Sequence, residues 1–109
     1  MANAFKTFTD TAVGTGNADV YTCPSATETT IIGLNVANIL AVSITVSVQL
    51  INNDGDNVHI VKDAIVPVGS SLVAVGGDQK IVMNASDILR VTASQASAAD
   101  VVVSVLEIS

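Results

Sequence analysis

Tryptophan is absent from this chain of 109 residues, cysteine occurs once, proline twice, and only Phe5, Phe8 and Tyr21 are aromatic. Each shortage excludes something. A single cysteine, Cys23, can form neither an intrachain disulfide nor a cysteine metal cluster. With no tryptophan and so few rings, a sugar-binding platform made by aromatic stacking has little to build on. Charge is scarce as well: charged residues are 13% of the chain, about half the usual share of roughly 25%. Four Lys/Arg stand against ten Asp/Glu, for a net charge of −6, and no two basic residues are adjacent. Nucleic acid is therefore not an expected partner, and neither is an anionic membrane.

Long apolar runs are missing too. The richest stretch, Asn38 to Ile51, is interrupted by Ser43, Thr45, Ser47 and Gln49, and no segment approaches the ~20 apolar residues of a spanning helix. The first ten residues lack a basic stretch followed by an apolar one, so no secretory signal is read and use without export is expected.

What the chain does have is β-branched residues. Val, Ile and Thr make up roughly a third of it, and their stiff side chains favour strands. In Ser43 to Leu50 every even position is apolar and every odd one polar, the period of a half-buried strand. The turn-forming run Asn52 to Asn57 and the renewed apolar pattern Val58 to Val61 predict a hairpin. Further strands are expected at Phe5–Thr11, Asp19–Thr22, Thr29–Ala37, Ser71–Val75, Lys80–Met83, Ile88–Ala93 and Val101–Ile108, separated by Gly-, Pro-, Asn- and Ser-rich turns. Such spacing predicts an all-β chain, an antiparallel β-sandwich of jelly-roll or immunoglobulin-like type with an N-terminal extension. Residues 1–18 read as a leader, either an arm or an edge strand, and residues 19–109 as a single sandwich domain.

Catalytic chemistry finds no footing. His59, the single histidine, lies in a strand beside Val58, Ile60 and Val61, and no nucleophile elbow surrounds Ser70 or Ser71. Cys23 has no neighbouring base or cation to make a thiolate. No catalytic residue and no cofactor is assigned, and an enzyme is not expected. The acidic turn is a weak calcium candidate, because Asn52, Asp54 and Asp56 alternate and Asp63 follows. Against it, glycine is misplaced, Asp replaces the closing bidentate Glu, and strands replace flanking helices.

Two features point to surfaces that meet other subunits. Phe5 and Phe8 sit in a polar, threonine-rich leader that the Gly14-Thr15-Gly16-Asn17 stretch could hinge. The strand Val101 to Ile108 is apolar at most positions of both alternating sets, as are Val73 to Val75 and Ile81 to Met83, so both faces need cover, from a loop or another subunit. The candidate interface residues are accordingly Phe5, Phe8, Val101, Val103 and Val105.

The run Val20-Tyr21-Thr22-Cys23-Pro24, followed by Thr29 to Asn38 and by Lys62 to Leu72, has a family likeness that Gly76 to Met83, Asp87 to Val91 and Ser104 to Ile108 continue. From about Val20 to Ile108 the chain resembles small virion structural proteins of tailed bacteriophages, particularly head decoration (cement) proteins. The resemblance implies a capsid-exterior protein, assembled in the bacterial host cytoplasm, that clamps adjacent subunits of the major coat protein. It also implies contacts with copies of itself, a trimer being the arrangement to expect. Neck, tail or fibre proteins and a glycan-binding host-adhesion module are the alternative readings.

Overall fold

The computed structural model describes residues 2–76 and 78–109. Nine strands form among them: β1 (Asn3–Val13), β2 (Ala18–Thr22), β3 (Glu28–Asn38), β4 (Ile44–Ile51), β5 (Asn57–Val66), β6 (Ser71–Val75), β7 (Ile81–Met83), β8 (Ile88–Ala93) and β9 (Ala99–Ile108). The period-two segment Ser43–Leu50 becomes β4, with Ile44, Val46 and Val48 buried. The turn Asn52–Asp56 closes the β4–β5 hairpin through Asn52 N–H to Asp56 O, with Gly55 at φ 95°, a backbone state that glycine adopts without strain. β5 runs past the expected Val61 to Val66, because its register with β4 shifts twice and Asp63 adopts φ 51°. A bulge carries the strand through polar Lys62 and Asp63 instead of ending it.

The strands divide into a five-stranded sheet, in the order β1-β9-β3-β6 with β7 also on β3, and a four-stranded sheet, β2-β8-β4-β5. Every pairing is antiparallel. Up to β4 the chain changes sheet after each strand, so sequence neighbours face each other across the core. That alternation distinguishes a jelly roll from the immunoglobulin arrangement, in which the first two strands share a sheet. Residues 3–13 form an edge strand of this sandwich, paired with β9, one of the two readings of the leader.

The core lies between the sheets and is almost wholly aliphatic. Ile31, Leu34, Val36, Val75, Met83, Val103 and Val105 from one sheet meet Val46, Val48, Leu89 and Val91 from the other. Asn38 is buried at one end, where its Nδ2 donates to the Val42 and Val66 carbonyls, and Asp87 accepts from the Asn53 and Asn84 N–H groups. Around Tyr21 the buried polar side chains form a connected set. The Tyr21 hydroxyl donates to Glu107 Oε2 at 2.7 Å and lies 2.8 Å from Thr29 Oγ1. Cys23 Sγ is 3.2 Å from the same threonine oxygen, and Lys6 Nζ reaches Glu107 Oε1 at 2.8 Å. Among the described residues no buried side-chain nitrogen or oxygen lacks a partner. Tyr21 belongs to the four-stranded sheet and the other oxygen-bearing members to the five-stranded one, so this cluster ties the two layers. Phe8 packs its ring 4.8 Å from that of Tyr21, centroid to centroid.

The cluster sets the pH limits of the fold. The hydrogen bond from Lys6, then that from Tyr21, holds the Glu107 carboxyl below the ordinary glutamate range. Burial, reinforced by Glu107, pushes the Tyr21 hydroxyl up. A lowered carboxyl stabilises the fold above its unfolded pKa of about 4.3 and loses that contribution as pH falls through the lower native value. A raised phenol contributes fully below about pH 10 and loses its contribution as pH rises through the higher native value. Urea midpoints measured across pH should therefore fall at both extremes. Tyr21→Phe should cost about 1–3 kcal/mol at neutral pH, through the loss of its buried hydrogen bonds, and should flatten the alkaline limb.

Candidate functional site: the outer face of the five-stranded sheet

Directly opposed residues of antiparallel strands share a face, so the register gives the make-up of each outer surface. On the four-stranded sheet one row reads Asp19, Arg90, Gln49, His59 across β2, β8, β4 and β5. Arg90 Nε donates to Asp19 Oδ1 at 2.7 Å, and Gln49 Nε2 lies 3.3 Å from His59 Nε2. The Asp19 hydrogen bond raises the pKa of Arg90. The next row pairs Ser47 with Thr92. This is a wet face, and its strongly exposed aliphatic residue, Ile65, sits on the edge strand β5 opposite Thr45.

The outer face of the five-stranded sheet is different. One row reads Phe5, Leu106, Thr30, Val82 across β1, β9, β3 and β7. Another reads Thr9, Val102, Asn35, Val73 across β1, β9, β3 and β6. Between them lies Thr7, Ser104, Gly33, and at one end Asn3, Ile108, Glu28. Phe5 is 77% exposed, Val73 65% and Val82 61%. The central rows carry no ionised side chain, on a chain with ten acidic residues; Glu28 and Asp100 stand at opposite ends. With strands about 4.8 Å apart and about 3.4 Å per residue, four strands over eight residues span roughly 500 Å². That is the footprint of the whole face, in which Phe5, Leu106, Val82, Val102 and Val73 are interspersed with Thr30, Asn35, Thr9, Thr7 and Ser104. It falls in the range of the largest patch on a typical monomer, which is often functional.

The expected interface residues divide across this geometry. Phe5 stands on the outer face. Phe8 points the other way, half-buried against Tyr21 and the core. Val101, Val103 and Val105 are at most 3% exposed and belong to the chain's own core, so they offer nothing to a neighbour. The correction follows from parity: both alternating sets of β9 are apolar, and the core took the odd-numbered one. The set left outside is Val102, Leu106 and Ile108, and its companions Val73 and Val82 were legible as strands apolar on both sides.

The calcium candidates do not converge. Asn52 Oδ1 accepts the backbone N–H groups of Asp54 and Asp56, so the turn uses that oxygen itself. Asp63 lies six residues along β5 from the turn, roughly 20 Å away at strand rise, and accepts from Ser47 Oγ at 3.3 Å. No group of three or more His, Cys, Asp or Glu side chains gathers among the described residues. Cys23 is 1% exposed. A shallow groove of about 330 Å³ opens where β1 bulges after Asp10, lined by Thr9, Thr11, Asn35, Asp100 and Val102 among others, with no aromatic ring in its wall. No helix long and apolar enough to cross a membrane is present among the described residues.

No family model and no curated protein matches the chain. Among solved structures it is similar to a chain of the Bacillus endospore appendages, which form a novel family of disulfide-linked pili. The TM-score is 0.57 at 12% identity, over 97% of this chain and 85% of that one. The likeness is one of fold.

The two alternating sets of the five-stranded sheet should respond oppositely to substitution. Phe5→Ser and Val82→Ser, on the outer face, should change the unfolding free energy by no more than about 0.5 kcal/mol. Val103→Ala, in the core, should cost about 2 kcal/mol. Urea unfolding of the three variants measures the contrast.

Proposed function

We propose that this chain is a non-enzymatic structural protein of a virion, a head decoration protein seated on the major coat protein by the outer face of its five-stranded sheet. The observation that carries the reading is the set of exposed apolar side chains, Phe5, Val73, Val82 and Val102, on a face whose central rows hold no charge. The sequence resemblance supplies the virion. The opposite sheet, with its Asp19–Arg90 and Gln49–His59 contacts, is suited to face solvent on the exterior of the particle.

Size sets the mode of attachment. Roughly 500 Å² falls short of the about 800 Å² per partner of a standard stable interface. One face on one coat subunit therefore holds weakly, and a seat across a seam between subunits gains from effective concentration. A protein held in this way resists the opening of the seam it spans.

The fold likeness to a pilus chain favours a second reading, in which copies bind one another along a fibre. Disulfide linkage does not transfer to it, because Cys23 is buried and lies 3.2 Å from Thr29 Oγ1. In the native state the thiol should react with a water-soluble disulfide reagent only as fast as the fold opens, and non-reducing gels should show no covalent multimer.

Quantitative mass spectrometry of purified source particles tests the proposal. A copy number close to that of the coat subunits is expected for decoration, and a few to a few dozen copies would replace it with a neck, tail or fibre position. Removing Phe5 or Val82 from the contact should weaken retention on the particle about tenfold each, at about 1.5 kcal/mol per buried side chain. Retention unchanged by both would remove the face from the proposal.

A further inference from the structure

A strand at the edge of a sheet presents unpaired backbone groups, and soluble proteins blunt such edges by shortness, bulges or charge. Most edges of this sandwich follow the rule. β6 has five residues and β7 three. β2 has five, with an irregularity between Asp19 and Tyr21. β5 is long, but its register shifts twice and it carries Lys62 and Asp63 exposed, the latter at φ 51°. β1 is the exception among the described residues: Asn3 to Asp10 pair with β9 through eight consecutive partners without a shift.

The direction of its free groups follows from one pair. Ala2 and Ser109 exchange both backbone hydrogen bonds, at 2.7 and 2.9 Å. Antiparallel alternation then commits Ala4, Lys6, Phe8 and Asp10 to β9, and turns the N–H and C=O groups of Asn3, Phe5, Thr7 and Thr9 away from the sheet. The strand carries one charge of each sign, Lys6, which also binds Glu107, and Asp10.

We infer that β1 pairs antiparallel with β1 of a second copy about a two-fold axis, joining two five-stranded sheets into one. The charges select the register. A two-fold centred on Phe8 sets Lys6 of each copy opposite Asp10 of the other, whereas one centred on Lys6 would oppose two ammonium groups. In the favoured register Thr7 of each copy lies opposite Thr9 of the other, and each of these pairs can exchange two backbone hydrogen bonds. The contact extends the apolar outer face across the seam and leaves it uncovered. It therefore stands apart from coat attachment, and its failure would leave that reading untouched. Being two-fold, it joins pairs and cannot by itself build the trimer that the resemblance implies.

Sedimentation velocity on the purified full chain, over a concentration series up to about 1 mM where weak interfaces register, tests the pairing. The expected result is a concentration-dependent rise to the mass of two chains. Thr7→Pro should return the protein to a single-chain mass. It removes an outward N–H without breaking a bond to β9, the position at which an edge strand tolerates proline. Asp10→Lys, which turns both charge pairs into repulsions, should weaken association about tenfold, with circular dichroism confirming the fold of each variant. If Thr7→Pro does not fold, the Asp10→Lys measurement decides. A single-chain mass at every concentration, a three-chain mass, or a two-chain species that these substitutions leave unchanged would overturn the inference.

Discussion

A two-sheet sandwich has one interior, and each strand can give it only one of its two sides. The central strand β9 is apolar on both. Its odd-numbered residues fill the space between the sheets, where Val103 and Val105 are wholly excluded from solvent. Its even-numbered residues, with Phe5, Val73 and Val82 from neighbouring strands, are left over. Folding therefore buries one of the two apolar sets and leaves the other at the surface. The wet face of the other sheet follows from the same constraint: between the buried residues of β4 and β8, Gln49, Ser47, Arg90 and Thr92 face outward.

The buried polar cluster shows how a core this aliphatic keeps its two layers aligned. Valine and isoleucine side chains specify volume but offer no directional contact. The Tyr21–Glu107 hydrogen bond, held at both ends by Thr29 and Lys6, supplies direction at one place and fixes β2 over β9. It also explains why the first strand belongs to the sandwich. Lys6 and Phe8, both from β1, reach into this cluster, one by charge and the other by ring contact.

Much of this architecture was legible in the residues. Alternation in β4, the Asn-Asp-Gly turn after it and the regular spacing of turn residues lead to eight or nine strands and a sandwich. The strand order was not, because it depends on which distant strands share a sheet, and local periodicity carries no such information. The outer face was half legible. Strands apolar on both sides announce a need for cover, but deciding which set of β9 faces inward requires the register with β1 and β3. A one-residue shift exchanges the two sets, so Val101, Val103 and Val105 were as plausible on the outside as Val102 and Leu106. The long β5 was hidden for a similar reason, since Lys62 and Asp63 look like a turn until a bulge is known to absorb them.

The separation of charge from the apolar face gives the chain an unusual relation to its ionic surroundings. The central rows of that face have no ion pair for salt to weaken, while the body behind it carries a net charge of −6. At about 0.15 M ionic strength charges farther apart than about 8 Å are largely screened from one another. In the proposed attachment, crowding many copies side by side would bring their negative bodies together, and dissolved ions would relieve that repulsion without touching the uncharged contact. Contacts made through this face should tighten as ionic strength rises, the reverse of what charge-driven attachment does.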